Sequence, residues 1–183
     1  MASPSPVQIT FLTTGTVRIR PMMRSQPPEG YGIVRRLRSL LDTRWTEPIP
    51  VGAFLIRHPA EGLFLFDTGQ SPCGNNADYF PRAALFNKRL SEFTIEHRDG
   101  ILEQLREWGI KAMDLKGVIL SHLHNDHADG LEDLMREAPE LPVYISREHW
   151  KAFGEHPFHA STEGANAESL AGSFFAERCG FPG

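Results

Sequence analysis

Two cysteines in 183 residues, Cys73 and Cys179, cannot build a disulfide framework, so the fold must rest on a packed core and the chain fits a reducing compartment. No apolar run approaches the ~20 residues of a membrane span. Charge of one sign is also lacking: a formal net charge of −4 is too mild to argue for a nucleic-acid or strongly acidic partner. The opening Met1-Ala2-Ser3-Pro4-Ser5-Pro6 has neither a basic n-region nor an apolar h-region, so no secretory signal is expected and the cytoplasm is the default location. Internal repeats are absent. With 40% hydrophobic residues the chain has enough apolar material for one core.

What is present is concentrated in one place. Ser121-His122-Leu123-His124-Asn125-Asp126-His127 puts three histidines and a carboxylate into six consecutive positions. It follows an apolar strand-like stretch, Gly117-Val118-Ile119-Leu120, and precedes Gly130 and a helical pattern. In extended backbone residues i and i+2 point to the same side, so His122 and His124 can reach one ion together. Asp126 and His127 follow where the chain turns and can aim at a second ion beside the first, at the ~3.5–4 Å separation of two-metal hydrolytic sites. The plainer reading, a polar loop bonding to backbone, is disfavoured by the strand-loop-helix context.

Elsewhere, Val7 to Thr13 and Thr16 to Arg20 read as strands with Gly15 as the turn between them. Ile33, Val34, Leu37, Leu40 and Leu41 recur at helical spacing, with Arg35, Arg36 and Arg38 on the other faces; without interleaved aromatics those arginines read as a solvated face rather than an anion site. Val51 to Arg57 and Leu63 to Phe66 are strand-like, and the run Leu63-Phe64-Leu65-Phe66 predicts a strand buried on both faces. Asp67 closes it, either as a carboxylate orienting a ligand histidine or as a turn residue before Gly69. Gln70 to Phe80 reads as a surface loop and Pro81 to Leu90 as a helix. Asp99 is a candidate N-cap for the helix carrying Ile101, Leu102, Leu105 and Trp108, and Asp129 for the helix carrying Leu131, Leu134, Met135 and Ala138. Pro142 to Ile145 predicts a strand and Arg147 to Phe153 a short helix. His58, His97, His156 and His159 read as structural or exposed loop histidines, and His149 sits on the short helix without a ligand spacing.

His122, His124, Asp126 and His127 resemble the H-x-H-x-D-H motif of the metallo-β-lactamase superfamily. Pro50 to Pro59 followed by Gly62-Leu63-Phe64-Leu65-Phe66-Asp67-Thr68-Gly69 is similar to the paired strands ending in D-T-G of that superfamily, particularly its branch of N-acyl homoserine lactonase-like hydrolases. The likeness runs from about Val7 to about Trp150. It implies an α/β (α+β) chain with the αββα sandwich, zinc (two ions in a complete site), and hydrolysis of a small-molecule ester, lactone, thioester or amide. In that frame His122 and His124 hold the first ion, Asp126 and His127 the second, and Asp126 also passes a proton to the leaving group. The family's second half supplies a third histidine, a bridging aspartate and a last histidine, and nothing after His127 reads that way.

The expectation is therefore a sandwich truncated to its first half. Residues 1–160 form the N-terminal part of a metallo-β-lactamase domain, and residues 161–183 a weakly structured tail. Three functions follow: a zinc-dependent lactone or ester hydrolase; a catalytically inactive half-domain acting as a binding or interaction module; or a homodimer whose partner chain completes the site. Neither nucleic acid nor membrane is expected as a partner.

Overall fold

A computed structural model describes residues 5–25, 31–76 and 89–156. Along the chain its elements are β1 (Gln8–Ile19), α1 (Pro21–Arg24), α2 (Gly32–Leu41), β2 (Ile49–His58), β3 (Gly62–Phe66), β4 (Ser91–Thr94), α3 (Ile101–Glu107), β5 (Leu115–Ile119), α4 (Asn125–Ala128), α5 (Leu131–Glu137), β6 (Val143–Tyr144) and α6 (Arg147–His149). A π-helical turn, Trp150–Gly154, continues α6. The six strands form one mixed sheet in the order β4-β1-β2-β3-β5-β6. β1, β2 and β3 pair antiparallel, while β3–β5 and β5–β6 are parallel.

One face of this sheet carries the core. Leu55, Leu65, Val118 and Val143 stand in register across four strands and are buried against Ile101 and Leu105 of α3 and Leu131 and Leu134 of α5. The helices bury these residues because their apolar positions recur three and four apart. The opposite face is also apolar: Phe11, Phe54, Phe66, Ile119 and Tyr144 form one row in register, and Ile9, Ile56 and Phe64 another. Ile9 is 65% exposed, Phe11 45% and Phe54 42%.

Several sequence expectations change. β1 is one long strand rather than two: its register with β2 slips between Thr13 and Thr16, and Gly15 (φ +102°) takes the bulge instead of a turn. A side chain there would lie 2.7 Å from the Thr94 carbonyl oxygen. β3 is buried on one face only, at Leu65, since Phe64 and Phe66 lie on the open side. α2 forms where the spacing predicts it, yet Ile33, Leu37 and Leu41 face outward and Ser39 is its buried residue. Asp99 does not cap α3; it ends the preceding 3-10 turn and accepts the Glu96 amide, leaving Gly100 at the helix start. β4, too short to show alternation in the sequence, adds an edge strand. The helix expected from Pro81 to Leu90 falls mostly, and the tail at residues 161–183 entirely, outside the described residues.

Candidate metal centre

The C-terminal ends of β3 and β5 lie side by side in the sheet, and both lead directly into polar loops. After Phe66 the backbone turns at Asp67, whose φ of +61° makes it the one non-glycine residue with positive φ among the described residues. Asp tolerates that left-handed region better than most residues because its short side chain can bond locally. Gly69 (φ +68°) completes the turn under Thr14, where a methyl group would overlap the Thr14 hydroxyl. The turn is stitched to the histidine loop by main chain: the Asp67 amide donates to the Ile119 carbonyl (2.8 Å), the Thr68 amide to His127 (2.7 Å) and the Gly130 amide to Gly69 (3.1 Å).

Side chains then organise the loop around Asp67, which is 6% exposed. Its Oδ1 accepts the Ser121 amide (2.8 Å), and its Oδ2 accepts the Ser121 hydroxyl (2.9 Å). The same Oδ2 lies 2.8 Å from His127 Nδ1. Ser121 Oγ in turn lies 2.9 Å from His122 Nδ1. A carboxylate can only accept, so His127 carries its proton on Nδ1 and turns Nε2 outward. With its hydroxyl hydrogen given to Asp67, Ser121 accepts from His122 Nδ1–H, leaving His122 Nε2 as the acceptor nitrogen that faces His124 Nδ1. One carboxylate thus sets the tautomers of two imidazoles, directly for His127 and through Ser121 for His122.

The remaining polar atoms of the loop form two close pairs. His122 Nε2 faces His124 Nδ1 at 3.0 Å, and His127 Nε2 faces Asp126 Oδ2 at 3.6 Å. Two nitrogens bound to one zinc at ~2.0–2.1 Å in tetrahedral geometry stand roughly 3.3 Å apart, so the first pair has the spacing of a chelating couple. The His122 and His127 rings are adjacent, with centres 4.0 Å apart. The donor chemistry fits a divalent transition ion, two donors to a position. Among the described residues no group of three or more His, Cys, Asp or Glu side chains is arranged to hold one ion.

Protonation follows from the same contacts. Burial, then the neighbouring His127 and His124, pushes His122 down to about 4, so it is neutral at pH 7. Burial would lower His127 as well, but its hydrogen bond to Asp67 and the charges of Asp126 and Asp67 outweigh it and raise its pKa.

A family model described as the metallo-beta-lactamase superfamily matches residues 46–171, which contain both the D-T-G turn and the histidine loop. The chain belongs to the metallo-beta-lactamase superfamily. Within it, the chain is 35% identical over 85 residues to the N-acyl homoserine lactonase AiiB of Agrobacterium fabrum, a match covering 46% of this chain and 29% of that protein. A crystal structure of a B. thuringiensis AiiA mutant with N-decanoyl-L-homoserine bound at its active site superposes with a TM-score of 0.57 at 22% identity, over 81% of this chain and 51% of that one. AidC, a dizinc quorum-quenching lactonase, superposes with a TM-score of 0.57 at 16% identity, over 100% of this chain and 60% of that one. The chain therefore spans about half the length of these solved superfamily members.

All four residues of the H-x-H-x-D-H run come together, and Asp67 joins them as a turn residue hydrogen-bonded to Ser121 and His127. Asp129 lies apart: it accepts from Gln70 Nε2 (2.5 Å) and the Ser71 amide (3.4 Å) rather than capping α5, because the D-T-G turn folds over it. His58 bonds the turn after β2 through the Ala60 and Glu61 amides, while His97 and His156 are exposed. His159 lies outside the described residues. His149 was missed by sequence reasoning: its Nε2 accepts the Leu123 amide at 3.0 Å, between the two histidines of the first pair. No spacing in the sequence signals it.

Proposed function

We propose that this chain carries the metal-binding half of a zinc-dependent hydrolase acting on a lactone or ester. The observation that supports it best is the pair of two-atom donor sets, His122 with His124 and Asp126 with His127, both oriented by Asp67. Relatives named as lactonases, one of them described as dizinc, support the metal and the substrate class. His122 Nε2 and His124 Nδ1 would hold the first ion; Asp126 Oδ2 and His127 Nε2 would hold the second. Zinc in such a site lowers the pKa of a water towards neutrality and polarises the carbonyl under attack. Asp126, at the start of α4 and half-buried, is placed to bind and then to deliver a proton to the departing alkoxide. Asp67 and Ser121 keep His122 and His127 in the tautomers that present a lone pair to the ion.

Catalytic zinc takes three protein ligands, so each pair needs one donor beyond those described. A second copy of the chain, or residues outside the described ones, supplies them in this reading. The alternative is a catalytically inactive half-domain acting as a binding or interaction module, favoured by the apolar sheet face that nothing described covers. Elemental analysis with a lactone hydrolysis assay at increasing protein concentration separates the two. Near two zinc ions per chain with hydrolysis supports the enzyme; a rate per chain that rises with concentration supports the dimer. No zinc and no hydrolysis at any concentration overturns the hydrolase reading in favour of the module.

A further inference from the structure

The backbone between His122 and His124 is held by a residue from a different element. Leu123, 1% exposed, packs its side chain into the core, while its amide hydrogen leaves the loop and is accepted by His149 Nε2 at 3.0 Å. A donor enclosed in this way costs about 1–3 kcal/mol if left unmet, so the acceptor matters to the loop. His149 is itself fixed from two sides. Its own amide donates to the Ser146 hydroxyl (3.2 Å), which caps α6, and its ring stacks on Phe153 with centres 4.6 Å apart and planes 19° off parallel. Phe153 belongs to the π-helical turn, a rare conformation frequent at functional sites, and its edge meets the His124 ring at 6.5 Å. The turn is closed by Gly154, where any side chain would collide with the Trp150 ring.

We propose that His149 is a positioning residue for the His122–His124 pair, accepting the Leu123 amide so that the two imidazoles keep their spacing before an ion arrives. It is not a third ligand. Its Nε2 is already taken by the amide, and its ring centre stands 6.1 Å from that of His122. Burial, then the neighbouring His124, pushes its pKa down, in keeping with the neutral acceptor form. This inference rests on the metal-binding reading of the first pair.

The test is a cobalt(II) titration of the full chain, followed by visible absorption, with amide exchange at Leu123 measured in the metal-free protein. His149→Phe keeps the ring and its stack but removes the acceptor; His149→Gln restores an acceptor at similar reach. Loss of a residue that orients a metal ligand weakens binding ~10–100-fold, so the Phe variant should bind cobalt at least tenfold more weakly with an altered spectrum, and Leu123 should exchange faster. The Gln variant should recover most of both. If the Phe variant does not fold by circular dichroism, His149→Ala read against the Gln variant decides the same point. Equal cobalt affinity and equal Leu123 protection in wild type and the acceptor-less variant overturn the proposal while the metal site stands. Failure of the wild type to bind cobalt overturns the metal-binding reading, and the positioning role with it.

Discussion

Replacing Asp67 by Asn changes one charge and almost nothing else. Asn tolerates positive φ as Asp does, so the backbone at φ +61° is left as it is. Its side-chain oxygen can still accept the Ser121 amide that Oδ1 accepts at 2.8 Å. At the position of Oδ2, however, the amide NH2 is a donor facing two donors. The Ser121 hydroxyl can rotate and accept, which disturbs its bond with His122 Nδ1. His127 can accept at Nδ1 only by moving its proton to Nε2, the atom that faces Asp126 and is proposed to bind the ion. A hydrogen bond to a charged group is worth about 1.5–3 kcal/mol, which corresponds to roughly ten- to hundredfold in metal affinity. Asp67→Asn should therefore weaken cobalt binding by that factor and leave the circular dichroism spectrum unchanged. Nitrogen NMR of the histidines should show His127 switching from the Nδ1–H to the Nε2–H form. Cobalt affinity within threefold of wild type, with His127 still protonated on Nδ1, would refute the orienting role and leave Asp67 a turn residue alone.

Gly69→Ala should abolish folding or cost ~3 kcal/mol or more in urea denaturation, because a methyl group at φ +68° would overlap the Thr14 hydroxyl; a cost below ~1 kcal/mol would show that the D-T-G turn opens easily. Leu65→Ala should cost ~2–5 kcal/mol, since Leu65 is fully buried, whereas Phe54→Ala on the other face of the sheet should cost much less at 42% exposure; equal costs would mean that the open face is covered in solution. In the metal-free protein His127 binds its proton more tightly than an imidazole at 6.5, so the stability it adds is complete below 6.5 and is lost as pH rises through its folded value. His122, at about 4, acts oppositely and costs stability as pH falls from 6.5 towards 4. At pH 6 an entering ion must expel the His127 proton but none from His122. Calorimetry in two buffers of different ionisation enthalpy should thus record about one proton released at the second position, and none released would contradict the shift at His127.

The H-x-H-x-D-H cluster was legible as a cluster because it is local: six consecutive positions state residue type, spacing and context without any tertiary information. The D-T-G turn was legible as a feature but not in its contacts, since Asp67 meets His127 across 60 positions of chain. His149 was not legible at all. A histidine that accepts one backbone hydrogen from a loop 26 positions earlier leaves no spacing signature, and its neighbours in sequence resemble any helix start. Strand periodicity gave the positions of β2, β3 and β5 to within a few residues, yet misjudged β1, because a glycine bulge and a glycine turn look the same in sequence and differ only in whether the partner strand continues. Leu63 to Phe66 was misread for a related reason: a continuous apolar run says that both faces are apolar, not that both are covered.

That last distinction bears on the site. An α/β sheet exposed to water on one side carries polar residues there, whereas this sheet places Phe11, Phe54, Phe66 and Ile119 in one row across four strands. Such patterning specifies a covered face, and a sheet of this kind is buried by helices or by a second sheet. The proposed donor sets are short in the same manner, two atoms where three are needed. A layer laid on the open face would bring its own loops to the ends of β3 and β5, where Asp67 and Ser121 begin the site. If that layer is a second copy, the contact is isologous, so covering of the face and metal affinity must rise together with protein concentration. If it belongs to the same polypeptide, both must be independent of concentration.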